Sequence, residues 1–290
     1  MIVVTGASGR LGSRIVDRLL ERVPPEEVGV SVRDAASADA LAARGVRVRE
    51  GDFTDPSTLE RAFQAADQVL VVSAAIRGDG AAEANIAAID AARAAGATRI
   101  LYTSHQASSP TSLFAPQLTH AATEAHLAGL GVPFTALRNG FYVSTLATYL
   151  DEALDTGLLA LPEDGPVSWT AHDDLADAAV VALAEPGVLD GVTAPLTAPE
   201  ALDLAAVADT LGDVTGRRID RVVVDDGQWV ASAVERGMPA AAAEFTLGMF
   251  RAARRGEFAV TDPTLERILG RPATPVRSYV ESVVARAPAR

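Results

Sequence analysis

Short apolar runs recur along the first half of the chain. Each gives way to a stretch whose apolar residues return every three to four positions. Ile2–Thr5 reads as a strand, and Gly9–Val23 carries Leu11, Ile15, Leu19 and Leu20 at helical spacing. Val28–Val32 is a second strand, followed by a short helix over Ala38–Arg44 that Gly45 stops. Val46–Glu50 is a third, after which Asp55 and Pro56 supply the N-cap and first position of a helix. Val69–Ser73 precedes an alanine-rich helix over Ala81–Ala95. Arg99–Ser104 precedes, after a Ser-Ser-Pro loop, a helix over Pro116–Leu130, and Phe134–Leu137 is a sixth strand.

Strands that are apolar throughout and alternate with helices predict a parallel sheet covered on both faces. Right-handed crossovers then give an α/β, Rossmann-type doubly wound sheet with ligands at the carboxyl ends of its strands. The second half is less regular. It predicts helices near Asp174–Glu185, Leu202–Gly212, Trp229–Arg236, Ala240–Arg254 and Val276–Ala285, and a strand near Arg221–Val224. The expected organisation is a dinucleotide-binding domain over 1–138 and a smaller, mixed α/β substrate-capping region over 139–290, some of whose segments return to the sheet.

Composition narrows the chemistry. The 290 residues carry a net charge of −13, which argues against extended contact with nucleic acid or anionic lipid. There is no cysteine, so disulfides and thiolate chemistry are excluded. Every basic residue is arginine. The lack of lysine excludes Schiff-base chemistry, a Walker-type phosphate lysine and a Tyr-Lys catalytic pair. No export or membrane-spanning segment stands out, so a soluble cytoplasmic protein is expected.

The strongest motif lies between the first strand and the first helix. Gly6, Gly9 and Gly12 stand three residues apart within Thr5–Gly12. The first glycine permits a sharp turn, the second lets the backbone approach a pyrophosphate, and the third lets the helix pack against the strand. Arg33 follows 21 positions after Gly12, at the end of the second strand. An acid usually binds the ribose 2′-hydroxyl of NAD there, whereas arginine suits the 2′-phosphate of NADP. NADPH is therefore expected in preference to NADH, with Arg10 assisting at the phosphates. Asp52 and Phe53 end the third strand, where an adenine edge would lie. Asp52 either accepts from the adenine amine or caps its turn.

Thr5–Gly12, Val32-Arg33, Gly51-Asp52-Phe53, Tyr102-Thr103-Ser104 and Leu137-Arg138-Asn139-Gly140-Phe141-Tyr142 together resemble the NmrA-like, atypical short-chain dehydrogenase/reductase family, closest to its type-2 NAD(P)H:quinone oxidoreductases. The likeness runs nearly end to end. It implies that Gly6, Ala7, Ser8, Gly9, Arg10 and Leu11 hold the pyrophosphate and Arg33 the 2′-phosphate. It further implies that Ser73, Ala74 and Ala75 line the adenosine side. Thr103 and Ser104 would face the crevice, and Asn139, Gly140, Phe141 and Tyr142 would sit beside the nicotinamide.

Two departures bear on mechanism. The Tyr-x-x-x-Lys pair of ordinary short-chain dehydrogenases is absent. The quinone-reductase segment His-x-x-Thr-Glu-Lys reads His120-Ala121-Ala122-Thr123-Glu124-Ala125 here. Quinone reduction tolerates this loss better than alcohol oxidation, which needs a positioned base. The catalytic candidates are His105, His120 and Tyr142. His120 and Glu124 share a helix face, read here as an exposed pair supporting the helix rather than an acid–base couple. His126 is expected at the surface, and Asp173-Asp174 is read as an N-cap. No metal is expected. The expected function is NADPH-dependent hydride transfer to a quinone or similar small electrophile. The alternatives are a non-catalytic NADP(H) sensor and a biosynthetic reductase or isomerase. The expected partner is a small-molecule substrate, with a homodimer left open.

Overall fold

A computed structural model describes residues 1–74 and 80–287. The first half alternates as expected: β1 (Ile2–Thr5), α1 (Arg10–Leu19), β2 (Val28–Val32), α2 (Asp39–Ala43), β3 (Arg47–Glu50), α3 (Pro56–Phe63), β4 (Gln68–Val71), α4 (Ala81–Ala94), β5 (Arg99–His105), α5 (Ala115–Gly129) and β6 (Phe134–Asn139). The second half holds β7 (Phe141–Tyr142), α6 (Ala147–Thr156), β8 (Leu158–Pro162), β9 (Trp169–Thr170), α7 (His172–Ala184), β10 (Gly191–Val192), α8 (Leu204–Thr215) and β11 (Asp220–Val224). It ends with α9 (Asp226–Glu235), α10 (Ala240–Arg254), α11 (Thr264–Leu269) and α12 (Val276–Arg286).

One seven-stranded sheet runs in the order β10-β6-β5-β4-β1-β2-β3, and every pairing in it is parallel. The chain reverses direction across the sheet between β1 and β4. A ligand crevice opens at such a point, outside the carboxyl ends of the strands. Leu11, Ile15, Val16 and Leu19 bury the inner stripe of α1, which packs beside α7 on one face. Leu59, Phe63, Ile89 and Leu127 cover the other face. A third apolar core joins α6, α8, α10 and α12 around Trp169, Phe250 and Phe258.

The second half departs from its sequence pattern in several places. The pattern gave no strand at β8, which pairs in parallel with β11. It also gave no helix at α6 or α11. The helix expected from Asp174 begins at His172 with Ala171 as its N-cap, so the capping reading of Asp173-Asp174 is wrong. Asp174 is buried, pairs with Arg271 at 2.7 Å and accepts the Thr274 N–H at 2.7 Å. Asp173 faces Arg14 and Arg18 of α1.

Arg99 clamps this half to the sheet. Its guanidinium is buried and donates to the carbonyls of Ala182 (2.5 Å) and Leu189 (3.2 Å), and to Gln68 Oε1 and Thr135 Oγ1. The Ala182 carbonyl lies in the last turn of α7, and Pro186 has no N–H to offer it. Arg99→Leu is expected to lower the unfolding free energy by about 2–4 kcal/mol, because buried acceptors lose their donor. Urea unfolding of the cofactor-free protein measures this.

Candidate active site

Thr5 Oγ1 accepts the Val72 N–H at 2.9 Å, which fixes the exit of β1 against that of β4. Gly6 then turns with φ +61°, a conformation that side chains disfavour. A Cβ on Gly12 would lie 2.2 Å from Gly6 O, so α1 packs directly onto the turn. A Cβ on Gly9 would meet only Gly6 O, at 3.2 Å. The loop is therefore closed behind Gly12 and open in front of Gly9. Among the described residues no side chain caps the N-terminus of α1.

Arg33 is exposed at the end of β2, and its guanidinium makes no hydrogen bond or ion pair among the described residues. Asp34 is used elsewhere, accepting the Ala36 N–H at 3.0 Å. Asp52 accepts the Thr54 N–H and hydroxyl, both at 2.8 Å. These bonds hold its carboxyl below the usual range, with the Arg33 charge adding to them. Asp52 thus caps its own turn.

The exit of β4 is pinned by two side chains. The Ser73 N–H donates to Thr103 Oγ1 (2.8 Å) and the Ala74 N–H to Asn85 Oδ1 (2.9 Å). Ala75 lies outside the described residues. Thr103 thus faces the crevice exit, but Ser104 does not offer it a hydroxyl. Successive side chains of a strand point to opposite faces, and Ser104 Oγ donates to Glu124 at 2.6 Å. Glu124 also receives both Nε and Nη2 of Arg138, at 3.0 and 2.7 Å.

The expected exposed His120–Glu124 pair is therefore absent. Glu124 is buried in its own ion pair, and His120 Nδ1 instead meets Tyr102 Oη at 2.8 Å. Burial pushes the His120 imidazole down to about 4, against the pull of Glu124. His105 Nδ1 accepts the Ala107 N–H at 3.2 Å, and its ring lies 6.1 Å from that of His120. Burial and then the neighbouring His120 push His105 well below its ordinary value. Both imidazoles are neutral at neutral pH. His126 pairs with Asp90 at 2.8 Å, outside this group.

Asn139 is the register partner of His105. It is 2% exposed, and its Oδ1 accepts no hydrogen bond among the described residues. A buried amide oxygen without a donor fits a carboxamide N–H such as that of nicotinamide. Gly140 is required by packing, since a Cβ there would lie 2.1 Å from Thr170 Oγ1. Phe141 does not line the crevice: it packs among Phe114, Trp169 and Phe258 in the third core. Tyr142 points the other way, its ring centroid 4.3 Å from that of His172. A cavity of about 460 Å³ opens beside His120, lined also by Ser73, Ala74, Asn85, Thr119 and Phe245.

Asn85 was missed from the sequence, although a signal existed. It sits on the buried stripe of α4 with Ala84, Ala88, Ile89 and Ala92, where a polar residue needs a partner.

Over residues 1–282 the sequence matches the NmrA-like family. It is 31% identical over 284 residues to quinone oxidoreductase 2 of Escherichia coli strain K12, covering 97% of each chain. It is also 31% identical over 290 residues to the NAD(P)H azoreductase of Xenophilus azovorans, covering 100% of this chain and 99% of that one. The crystal structure of the NADPH-dependent quinone oxidoreductase of E. coli complexed with NADPH superimposes with a TM-score of 0.92 at 29% identity, over 98% of this chain and 100% of the other.

Proposed function

The chain belongs to the NmrA-like family, and from that premise we propose that it is an NADPH-dependent oxidoreductase that reduces quinones or similar small, electron-poor acceptors. The observation that carries the reading is one crevice with complementary ends. Gly9 lies open at β1, Arg33 stands exposed at β2, and the unpartnered Asn139 Oδ1 ends β6, all at the carboxyl edge of the same sheet. Residues 1–138 would hold the dinucleotide, and 139–290 would complete and cover the acceptor pocket.

In this reading the backbone N–H groups of Gly6–Leu11 hold the pyrophosphate, and Arg33 grips the 2′-phosphate. Asn139 Oδ1 accepts from the carboxamide and sets the ring's orientation. NADPH, when bound, supplies the hydride. The protein brings no lysine or cysteine, and its crevice histidines are neutral. Such a site favours an acceptor whose reduced oxygens take their proton from water. Positioning alone lowers barriers by about 7–11 kcal/mol in well-oriented cases.

The test is NADPH oxidation against a panel of quinones, with hydroquinone formed mole for mole. Cofactor binding with no acceptor-dependent turnover would favour the redox-sensor reading instead. The same protein is expected to bind NADPH about 10-fold to 100-fold more tightly than NADH, the worth of a charged hydrogen-bonded contact. Arg33→Ala is expected to remove most of that difference while sparing NADH. Equal affinity for the two cofactors in the parent protein would refute the assignment of Arg33.

A further inference from the structure

His120 lines the 460 Å³ cavity, and a chain of hydrogen bonds reaches its ring from behind. The chain starts at the Ala74 N–H, which can only donate, so Asn85 presents Oδ1 to it. The Asn85 amide is thereby oriented, and its Nδ2 donates to Tyr102 Oη at 3.3 Å. With that lone pair engaged, the phenol directs its own proton to His120 Nδ1, 2.8 Å away. Thr123, also near the phenol, gives its hydroxyl proton to the Thr119 carbonyl at 2.9 Å. An imidazole nitrogen at 2.8 Å is the better acceptor of the phenol proton. Because Nδ1 accepts, the ring's remaining proton sits on Nε2, the nitrogen left for the cavity.

We propose that His120 donates its Nε2–H to an oxygen or nitrogen of the bound acceptor, and that Tyr102 and Asn85 are positioning residues that fix this tautomer. The proposal rests on the reductase reading above. It involves no proton transfer from the ring. The neutral imidazole keeps its hydrogen and holds the reacting atom in place. The proton that completes the reduced acceptor comes from water. His105 cannot play this part: its ring is edge-on to Phe141 and Phe258, and it does not line the cavity.

The ionisable groups facing His120 are Tyr102 and His105 from β5, Glu124 from α5 itself, bonded to Arg138 of β6, and Glu83 of α4 on the cavity wall. With the imidazole titrating at about 4, its donor role is constant from pH 6 to 8.

The experiment uses the full chain with NADPH and 1,4-naphthoquinone. His120→Leu is expected to lower kcat/KM for the quinone about 3-fold to 10-fold, chiefly through KM, with NADPH affinity unchanged. His120→Gln, which restores an N–H donor, is expected to recover most of the loss. The pH profile of kcat/KM should be flat between 6 and 8. Histidine ¹⁵N NMR should show His120 as the Nε2–H tautomer, and Tyr102→Phe should mix the two tautomers and raise KM. An Nδ1–H tautomer, an unchanged KM in His120→Leu, or an inflection near pH 6.5 would overturn the proposal. A wild-type protein with no quinone-dependent NADPH oxidation would overturn the reductase reading and this acceptor with it, while the NMR still reports the tautomer separately.

Discussion

Valine at position 9 is expected to abolish NADPH binding and leave the fold standing. Gly9 has φ −84° and ψ 167°, an extended backbone that a β-branched residue adopts readily. Its new Cβ would meet only Gly6 O, at 3.2 Å, which a small shift relieves. The two methyl groups would fill the open space before the N-terminus of α1, where a pyrophosphate would accept backbone N–H bonds. Bonds to a charged group are worth about 1.5–3 kcal/mol each, and several would be lost together. Affinity should therefore fall by more than about 100-fold, with the melting temperature within about 3 °C of the parent. Gly12→Val is the contrast. Its Cβ would collide with Gly6 O and C at 2.2 and 2.7 Å, so both binding and stability should fall. Titration calorimetry and differential scanning calorimetry separate the two outcomes. Gly9→Val protein that binds NADPH like the parent would move the cofactor elsewhere.

The glycine loop was legible because its requirements are local: a turn, a close approach and a helix start lie within eight residues. β1, β2 and β4 were legible for a similar reason, since each is buried on both faces, whereas β3 is a half-exposed edge strand in which only Val48 is apolar. What failed depended on partners distant in sequence. β8 is five residues whose strand partner among the described residues, β11, arrives about sixty positions later. Phe141 and Tyr142 are consecutive extended residues and must face opposite ways. The ring that goes inward is decided by Trp169 and Phe258, far along the chain. Thr103 and Ser104 pose the same problem, and Glu124 resolves it. The i, i+4 spacing of His120 and Glu124 correctly put them on one face of α5. That helix is rich in alanine and weakly amphipathic, so nothing local marked the face as the buried one. Its occupants are claimed by Tyr102 and Arg138, from two different strands.

The protein is expected to lose stability steeply as the pH falls from 6.5 towards 4. In the unfolded chain each histidine takes up its proton near 6.5. In the folded protein burial lowers His120 and His172 to about 4, and His105 goes well below its ordinary value. Across that window the unfolded state binds more protons than the folded one, so stability falls as pH falls. Each fully shifted histidine contributes up to about 1.4 kcal/mol per pH unit, so His105 and His120 together give about 3 kcal/mol per unit. His172 sits on a more open wall beside Arg10 and Arg14 and adds less. The lowered carboxylates work in a different range. Asp52, Asp67 and Asp226 are held below the usual value, so the stability they provide is intact at pH 5 and disappears only in stronger acid. Urea midpoints at pH 7, 6 and 5, at one ionic strength, should therefore drop progressively. His120→Leu should flatten the slope by about one proton. A midpoint unchanged between pH 7 and 5 would mean that these imidazoles take up protons in the folded state as freely as in the unfolded one.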